Sequence, residues 1–337
     1  MTALTGRADT RKSGAPKRRP HLSGLSWLVW RQHRTGFWTI LAVTAIGIGL
    51  MAYWRAGMVD YLVGYGYPHL APDEWQSGFE PFSKRLFDVG YYLGFLPILL
   101  GVFLGAPLIA GDLEAGTTQL VLGHSVSRTR WLAAKLTIAG LVVVVSTGAL
   151  SLTFWYWWSP VSQQDGSLDW TSGKLFDVTG AVPVALALLT VVGGVAIGML
   201  LRRTLIAMVA TFGFAVLVQV IWSRFRLNLG TPVTFTSHNG VADGPPGLPA
   251  GAHQLGQGPS FLTDSGQVLP WQTCVEQSET AKAHLACLAA KHVDGWSMDY
   301  LPYSQMQGMQ WLGSAILLVL TAAIIVFVFL WGRKRLV

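Results

Sequence analysis

Six stretches of this chain, 37–54, 89–110, 136–158, 178–201, 204–222 and 311–331, run for 18 residues or more without one Asp, Glu, Lys or Arg. About 20 consecutive apolar residues are what a helix needs to cross the roughly 30 Å hydrocarbon layer of a bilayer. Backbone polar groups in lipid must be paired within the segment itself, which makes helices the natural reading of such runs. The expectation is an all-α integral membrane protein with six transmembrane helices. Charged residues make up only 12% of the 337 residues, against about a quarter in a soluble domain, which excludes an ordinary cytosolic enzyme. The fourth and fifth stretches are separated only by Arg202 and Arg203, so that pair must mark a turn at the membrane surface.

Charge placement orients the spans. With the N-terminus inside, 16 of the 24 Lys and Arg residues fall on the inner side, and 14 of the 17 Asp and Glu residues fall on the outer side. The bias of Lys and Arg toward the cytoplasm then places both termini there. Aromatic residues frame the spans, above all the run Phe154-Trp155-Tyr156-Trp157-Trp158 on the outer side. Rings with an apolar body and a polar edge favour the headgroup level.

The chain divides accordingly. Residues 1–22 form a disordered basic cytoplasmic tail, suited to anionic membrane lipid and without any sign of nucleic-acid binding. Residues 23–36 read as an amphipathic interfacial helix leading into the first span. Residues 37–222 hold transmembrane helices one to five, with a polar cytoplasmic segment at 111–135 that nonetheless keeps Leu113, Leu120, Val121 and Leu122. Those leucines and that valine need a surface to cover, so the segment reads as a docking element. Residues 223–310 form a long extracytoplasmic segment, irregular through about residue 260 from its Gly and Pro content and then helical from Ser278 to a stop at Gly295. Residues 311–337 are the sixth span and a basic cytoplasmic end.

Cys274 and Cys287 both lie in the outer segment, where an oxidising environment favours a disulfide between them. His284, Cys287 and His292 do not share one helical face, so no metal site is assigned. There is no GxxxxGK[ST] phosphate loop, no GxSxG and no HExxH, so the chain itself is read as neither an ATPase nor a hydrolase. Its spans also lack the ionisable residue that ion-coupled carriers ordinarily place in the membrane. They do hold small residues at helical spacing. Gly90, Gly94, Gly101 and Gly105 lie along one face of the second span, and Gly194 and Gly198 form a pair in the fourth. Such faces let helices approach closely, and Pro97 is placed to kink the second span.

One stretch carries more than topology: Ile109-Ala110-Gly111-Asp112-Leu113-Glu114-Ala115-Gly116-Thr117, then Val126-Ser127-Arg128, Arg130-Trp131 and Lys135. With the opening Trp27-Leu28-Val29-Trp30-Arg31-Gln32-His33-Arg34, it resembles the membrane permeases of the ABC type-2 exporter family. The resemblance implies that the coupling segment seats on a separate ABC ATPase subunit through Asp112, Glu114, Gly116, Thr117, Arg128 and Arg130. It implies a second permease copy or a sister permease, since six spans are half a transporter. It implies no cofactor on this chain, with ATP and Mg²⁺ on the partner ATPase, and export from a bacterial cytoplasmic membrane; the largely apolar bundle points to a hydrophobic or amphipathic compound such as an antibiotic, a peptide or a lipid. Two other readings remain open: a non-transporting sensor or scaffold with a ligand-binding outer segment, and an ion-coupled carrier.

Overall fold

The computed structural model describes residues 25–70, 75–116, 127–163, 168–256, 258–275 and 280–335. Among the described residues six helical stretches are long and apolar enough to cross a membrane: Trp27–Val63, Glu80–Glu114, Arg128–Val161, Val182–Leu201, Thr204–Leu229 and Tyr303–Lys334.

The first crossing is one unbroken helix, α1 (Leu25–Val63). The separate interfacial helix expected over 23–36 is corrected: from Leu25 onward it is the first part of α1. Nothing between Trp30 and Phe37 breaks the backbone, and Phe37 and Val29 are both buried, so one helical face continues through the supposed junction. The second crossing is segmented into α2 (Glu80–Gly94), α3 (Leu96–Leu100), a π turn (Gly101–Gly105) and α4 (Ala106–Glu114). Two prolines explain the segmentation. Pro97 stands at the start of α3 and Pro107 at the start of α4. A proline lacks the N–H of the helix ladder and its ring presses on the carbonyl four residues back, which a widened turn relieves.

The third crossing is α5 (Arg128–Trp158), capped by Ser127, whose Oγ accepts from Arg130 N. After the short helix α6 (Gly173–Phe176) comes α7 (Val182–Leu201), the most buried of the six, packed against α4, α5, the π turn and the last helix. Its glycines make this possible. A Cβ at Gly194 would sit 2.7 Å from Gly101 O and one at Gly198 would sit 2.5 Å from Ala106 O, while a Cβ at Gly105 would meet Val191 O within 2.4 Å. Backbone therefore touches backbone between spans two and four. Gly94 has no such neighbour; its carbonyl instead accepts from Gln219 Nε2 at 2.8 Å.

Arg202 takes a left-handed conformation, φ 55°, and turns the chain into α8 (Thr204–Phe225). The long segment between the fifth and sixth crossings follows; residues 238–252 are irregular, as expected from their Gly and Pro content, but strands stand on either side of them. It folds as an antiparallel sheet of β1 (Val233–Ser237), β2 (His253–Gln254), β3 (Ser260–Thr263), β4 (Val268–Leu269) and β5 (Val293–Leu301), with β1 on one edge of β5 and β2 and β3 on the other. The helix expected to run to Gly295 is shorter, α9 (Ala281–Ala290), capped by Thr280. Gly295 is a strand residue instead, since a Cβ there would fall 1.7 Å from Ser237 O. Cys274 and Cys287 are joined in a disulfide with Cα atoms 6.0 Å apart, over a small core of Phe261, Leu288 and Trp296. The last crossing is α10 (Met306–Arg335).

Candidate functional site

The ends of the crossings that bear the chain termini meet around one buried cation. Leu108 and Asp112 are one helical turn apart on α4, and Trp131 and Lys135 are one turn apart on α5, so each pair shares a face. Those faces meet. Lys135 Nζ lies 2.5 Å from Asp112 Oδ2 and donates to Leu108 O at 2.6 Å. It stands 3.3 Å from His33 Nε2 of α1, and Gln32 of α1 donates its side-chain amide to the other oxygen of Asp112. The Trp131 ring centroid lies 4.9 Å from the ammonium. Lys135 has no exposed surface and Asp112 retains 7%. Every donor of the ammonium thus has a protein partner in a dry setting, the condition under which a buried ion pair is tolerated. Three crossings are pinned at this point.

Asp112 was expected to face a partner protein, and that expectation is corrected. Its carboxylate is turned into the bundle because α4 continues past it to Glu114, keeping Asp112 in phase with Leu108 and opposite Lys135. Glu114 is exposed, but its Oε2 accepts from Thr204 N at 2.8 Å, closing the open first turn of α8. Gly116 ends α4 with φ 67°. Thr117 lies outside the described residues, as does the rest of 117–126. Arg128 Nη1 donates to Arg333 O at 3.2 Å near the end of α10, and Arg130 is exposed at the first turn of α5. Gln32 and His33 stand in the 27–34 stretch that carries the resemblance, but nothing in that stretch assigns them to Asp112 or Lys135; their own signal is polarity one turn before the apolar run of α1.

The opposite ends of the crossings carry a second cluster. Asp177 accepts from Trp222 Nε1 at 2.7 Å and forms an ion pair with Arg226. Burial pushes the Asp177 carboxyl up from its ordinary value, against the opposing pull of Arg226 and Trp222. Nearby, Gln310 donates to Phe176 O, Thr179 O and Thr179 Oγ1 at 3.0–3.2 Å. A clasp links the loop before α6 to the sheet: Trp170 Nε1 donates to Gly251 O at 2.8 Å, and His253 Nδ1 lies 2.8 Å from Asp169 Oδ2. Burial works to raise the Asp169 carboxyl, but hydrogen bonds from His253 and Thr171 outweigh it and hold it below its usual range. Among the described residues no group of three or more His, Cys, Asp or Glu side chains is placed to hold a metal ion.

Six apolar crossings, packed helix to helix and pinned at one end by a buried ion pair, define a multi-pass membrane protein of the permease kind. Residues 28–226 match the profile of the family described as ABC-2 membrane transporter related, and the chain belongs to that family. This makes it a membrane-embedded component of ABC transporter type. The matched region holds the first five crossings and the ion-pair node; the sheet and α10 lie beyond it. Comparison with curated proteins and with solved structures gave no match.

Proposed function

We propose that this chain is the membrane half of an ATP-driven exporter in a bacterial cytoplasmic membrane, moving a hydrophobic or amphipathic compound outward. A separate ABC ATPase subunit binds ATP with Mg²⁺ and supplies the work. A second copy, or a sister permease, completes the path. The observation that carries this reading is the Lys135–Asp112 node. It joins the helix entering the 111–135 segment to the helix leaving it, and joins both to α1. A partner that pulls on residues 116–131 therefore pulls on three crossings at once. The wide π turn at Gly101–Gly105, set against the glycine face of α7, is the place where the second crossing can flex in response. Alternating access then follows from closure and separation of two ATPase subunits beneath two such bundles.

In this proposal Asp112 positions the segment from inside the bundle. Gly116, Thr117, Arg130 and the rim residues Glu114 and Arg128 are offered to the ATPase. The test is co-expression with the ATPase of a neighbouring reading frame, purification, and reconstitution into proteoliposomes. The expected result is co-purification, ATPase stimulation by the permease and ATP-dependent loss of a fluorescent amphiphile from the accessible leaflet. Movement of that amphiphile by the permease alone at the same rate overturns the proposal.

A further inference from the structure

A cavity of about 950 Å³ opens between α5 and α10 at the end of the bundle opposite the termini. One wall is Leu152 and Trp155 of α5, and the other is Met306 and Trp311 of α10. Leu152, Trp155 and Trp311 are 67%, 49% and 63% exposed, so the apolar walls continue outward onto the surface that faces lipid. Two tryptophans flanking a lateral mouth are characteristic of the headgroup level. The inner end is different in character. Gly180 lets the Gln310 side chain come close, since a Cβ there would fall 2.3 Å from Gln310 Oε1. Gln310 is buried and has its amide nitrogen fully committed to Phe176 and Thr179, which fixes how its carbonyl is presented. Gln163, Ser304 and Gln307 stand exposed along the rim, and Ala250 roofs it from the outer segment, held down by the Trp170–Gly251 bond.

The lining gives the ligand class. Among the described residues no lining side chain is charged; the polar ones are amides and hydroxyls. A headgroup carrying net charge would be moved from water with nothing to neutralise it. An uncharged headgroup rich in hydroxyls finds both donors and acceptors here. The smaller cavity of about 500 Å³ between α2 and α8 makes the contrast, since it is lined by Lys174, Asp177 and Arg226. We infer that the cavity between α5 and α10 binds a membrane amphiphile with an uncharged, hydroxyl-bearing headgroup, its tail passing out between Trp155 and Trp311 into the adjoining leaflet. The inference stands on the cavity alone and does not depend on the direction of transport.

The experiment uses the purified full chain in phosphatidylcholine nanodiscs doped with one of two photoreactive diacyl lipids. Their tails are identical, and the headgroups are glucosyl and anionic phosphoglycerol. The glucosyl probe is expected to label peptides containing Trp155 or Trp311 about tenfold more than the anionic probe, the weight of one or two hydrogen bonds. Octyl glucoside should compete and free glucose should not, which separates an amphiphile site from a sugar site. The double variant Gln163→Leu with Gln307→Leu should lose most of that labelling. Both side chains are exposed, so folding is spared, and Leu152→Trp, also at an exposed position, should narrow the mouth with the same result. Equal labelling by the two probes, competition by glucose as strong as by octyl glucoside, or undiminished labelling of the variants each overturns the inference.

Discussion

The two ends of the bundle each hold an ion pair, buried at one end and half-buried at the other, and the pairs do different work. At the end bearing the termini, Lys135–Asp112 lies between crossings and ties the third to the second, with α1 drawn in through Gln32 and His33. At the other end, Asp177–Arg226 ties the connection before α7 to the end of α8, and a sheet with its own disulfide sits over the region. One end is braced from within. The other is covered by an added layer. A device that receives force and passes it on needs the first arrangement, because a covering layer would intervene between partner and crossing helices.

The largest effect should come from breaking the inner brace. Lys135→Met leaves Asp112 buried without its cation, and removal of one partner from such a pair costs about 3–5 kcal/mol. Thermal unfolding of the purified protein in detergent should show the loss. The double variant Lys135→Met with Asp112→Leu removes both charges and should recover most of it, because apolar replacements of similar size are often tolerated in place of buried pairs. No recovery in the double variant would mean that Lys135 acts mainly through Leu108 O and Trp131, and the contrast between the two ends would have to be redrawn.

The sheet should fail separately. Replacing Cys274 and Cys287 together by Ser opens a loop of 13 residues in sequence, worth about 3 kcal/mol by loop-closure entropy. The loss should appear as faster hydrogen exchange in β3, β5 and α9, with the crossing helices unchanged. If α7 and α10 lose protection equally, the sheet is part of the bundle's stability and the two ends are not independent.

How much of this was legible beforehand depends on the kind of signal. The crossings could be read because a charge inside hydrocarbon is costly enough to leave runs of at least 18 residues clean. The glycine faces could be read from spacing, and they meet as backbone contacts at Gly101, Gly105, Gly194 and Gly198. The Cys274–Cys287 bridge was expected from two cysteines in one segment between the fifth and sixth apolar runs, and the structure joins them. The inward turn of Asp112 was not legible, since counting charges by side treats every acid beyond a span as solvated. Only the phase of α4 relative to α5 shows that it faces Lys135. The sheet was hidden for another reason. The Ala-rich run before Gly295 has a strong helical pattern, while β5 depends on partners 30 or more residues away, in β3 and β1. Gly295, a helix stop by local rules, is there to let Ser237 O approach.

The smallest effect concerns the joint between the two regions, the clasp of Asp169 on His253. Because the Asp169 carboxyl is held below its ordinary value by hydrogen bonds from His253 and Thr171, its contribution is present above the unfolded value near pH 4 and is lost as pH falls through the lower folded value. Asp177 has the opposite sign: burial raises it, so its contribution favours acid and fades as pH rises through its folded value. Acidification should therefore loosen the clasp while it spares the Asp177 region. Asp169 is partly exposed and screened, so the stability involved should stay under about 1 kcal/mol. The measurement is hydrogen exchange of β2 and residues 168–172 in the parent and in Asp169→Asn between pH 3 and pH 6. The parent should be better protected at pH 6, and the gap should close toward pH 3. A gap that stays constant over that range would assign the joint to the Trp170–Gly251 bond, and the layer would be fastened to the bundle by an indole instead of a carboxylate.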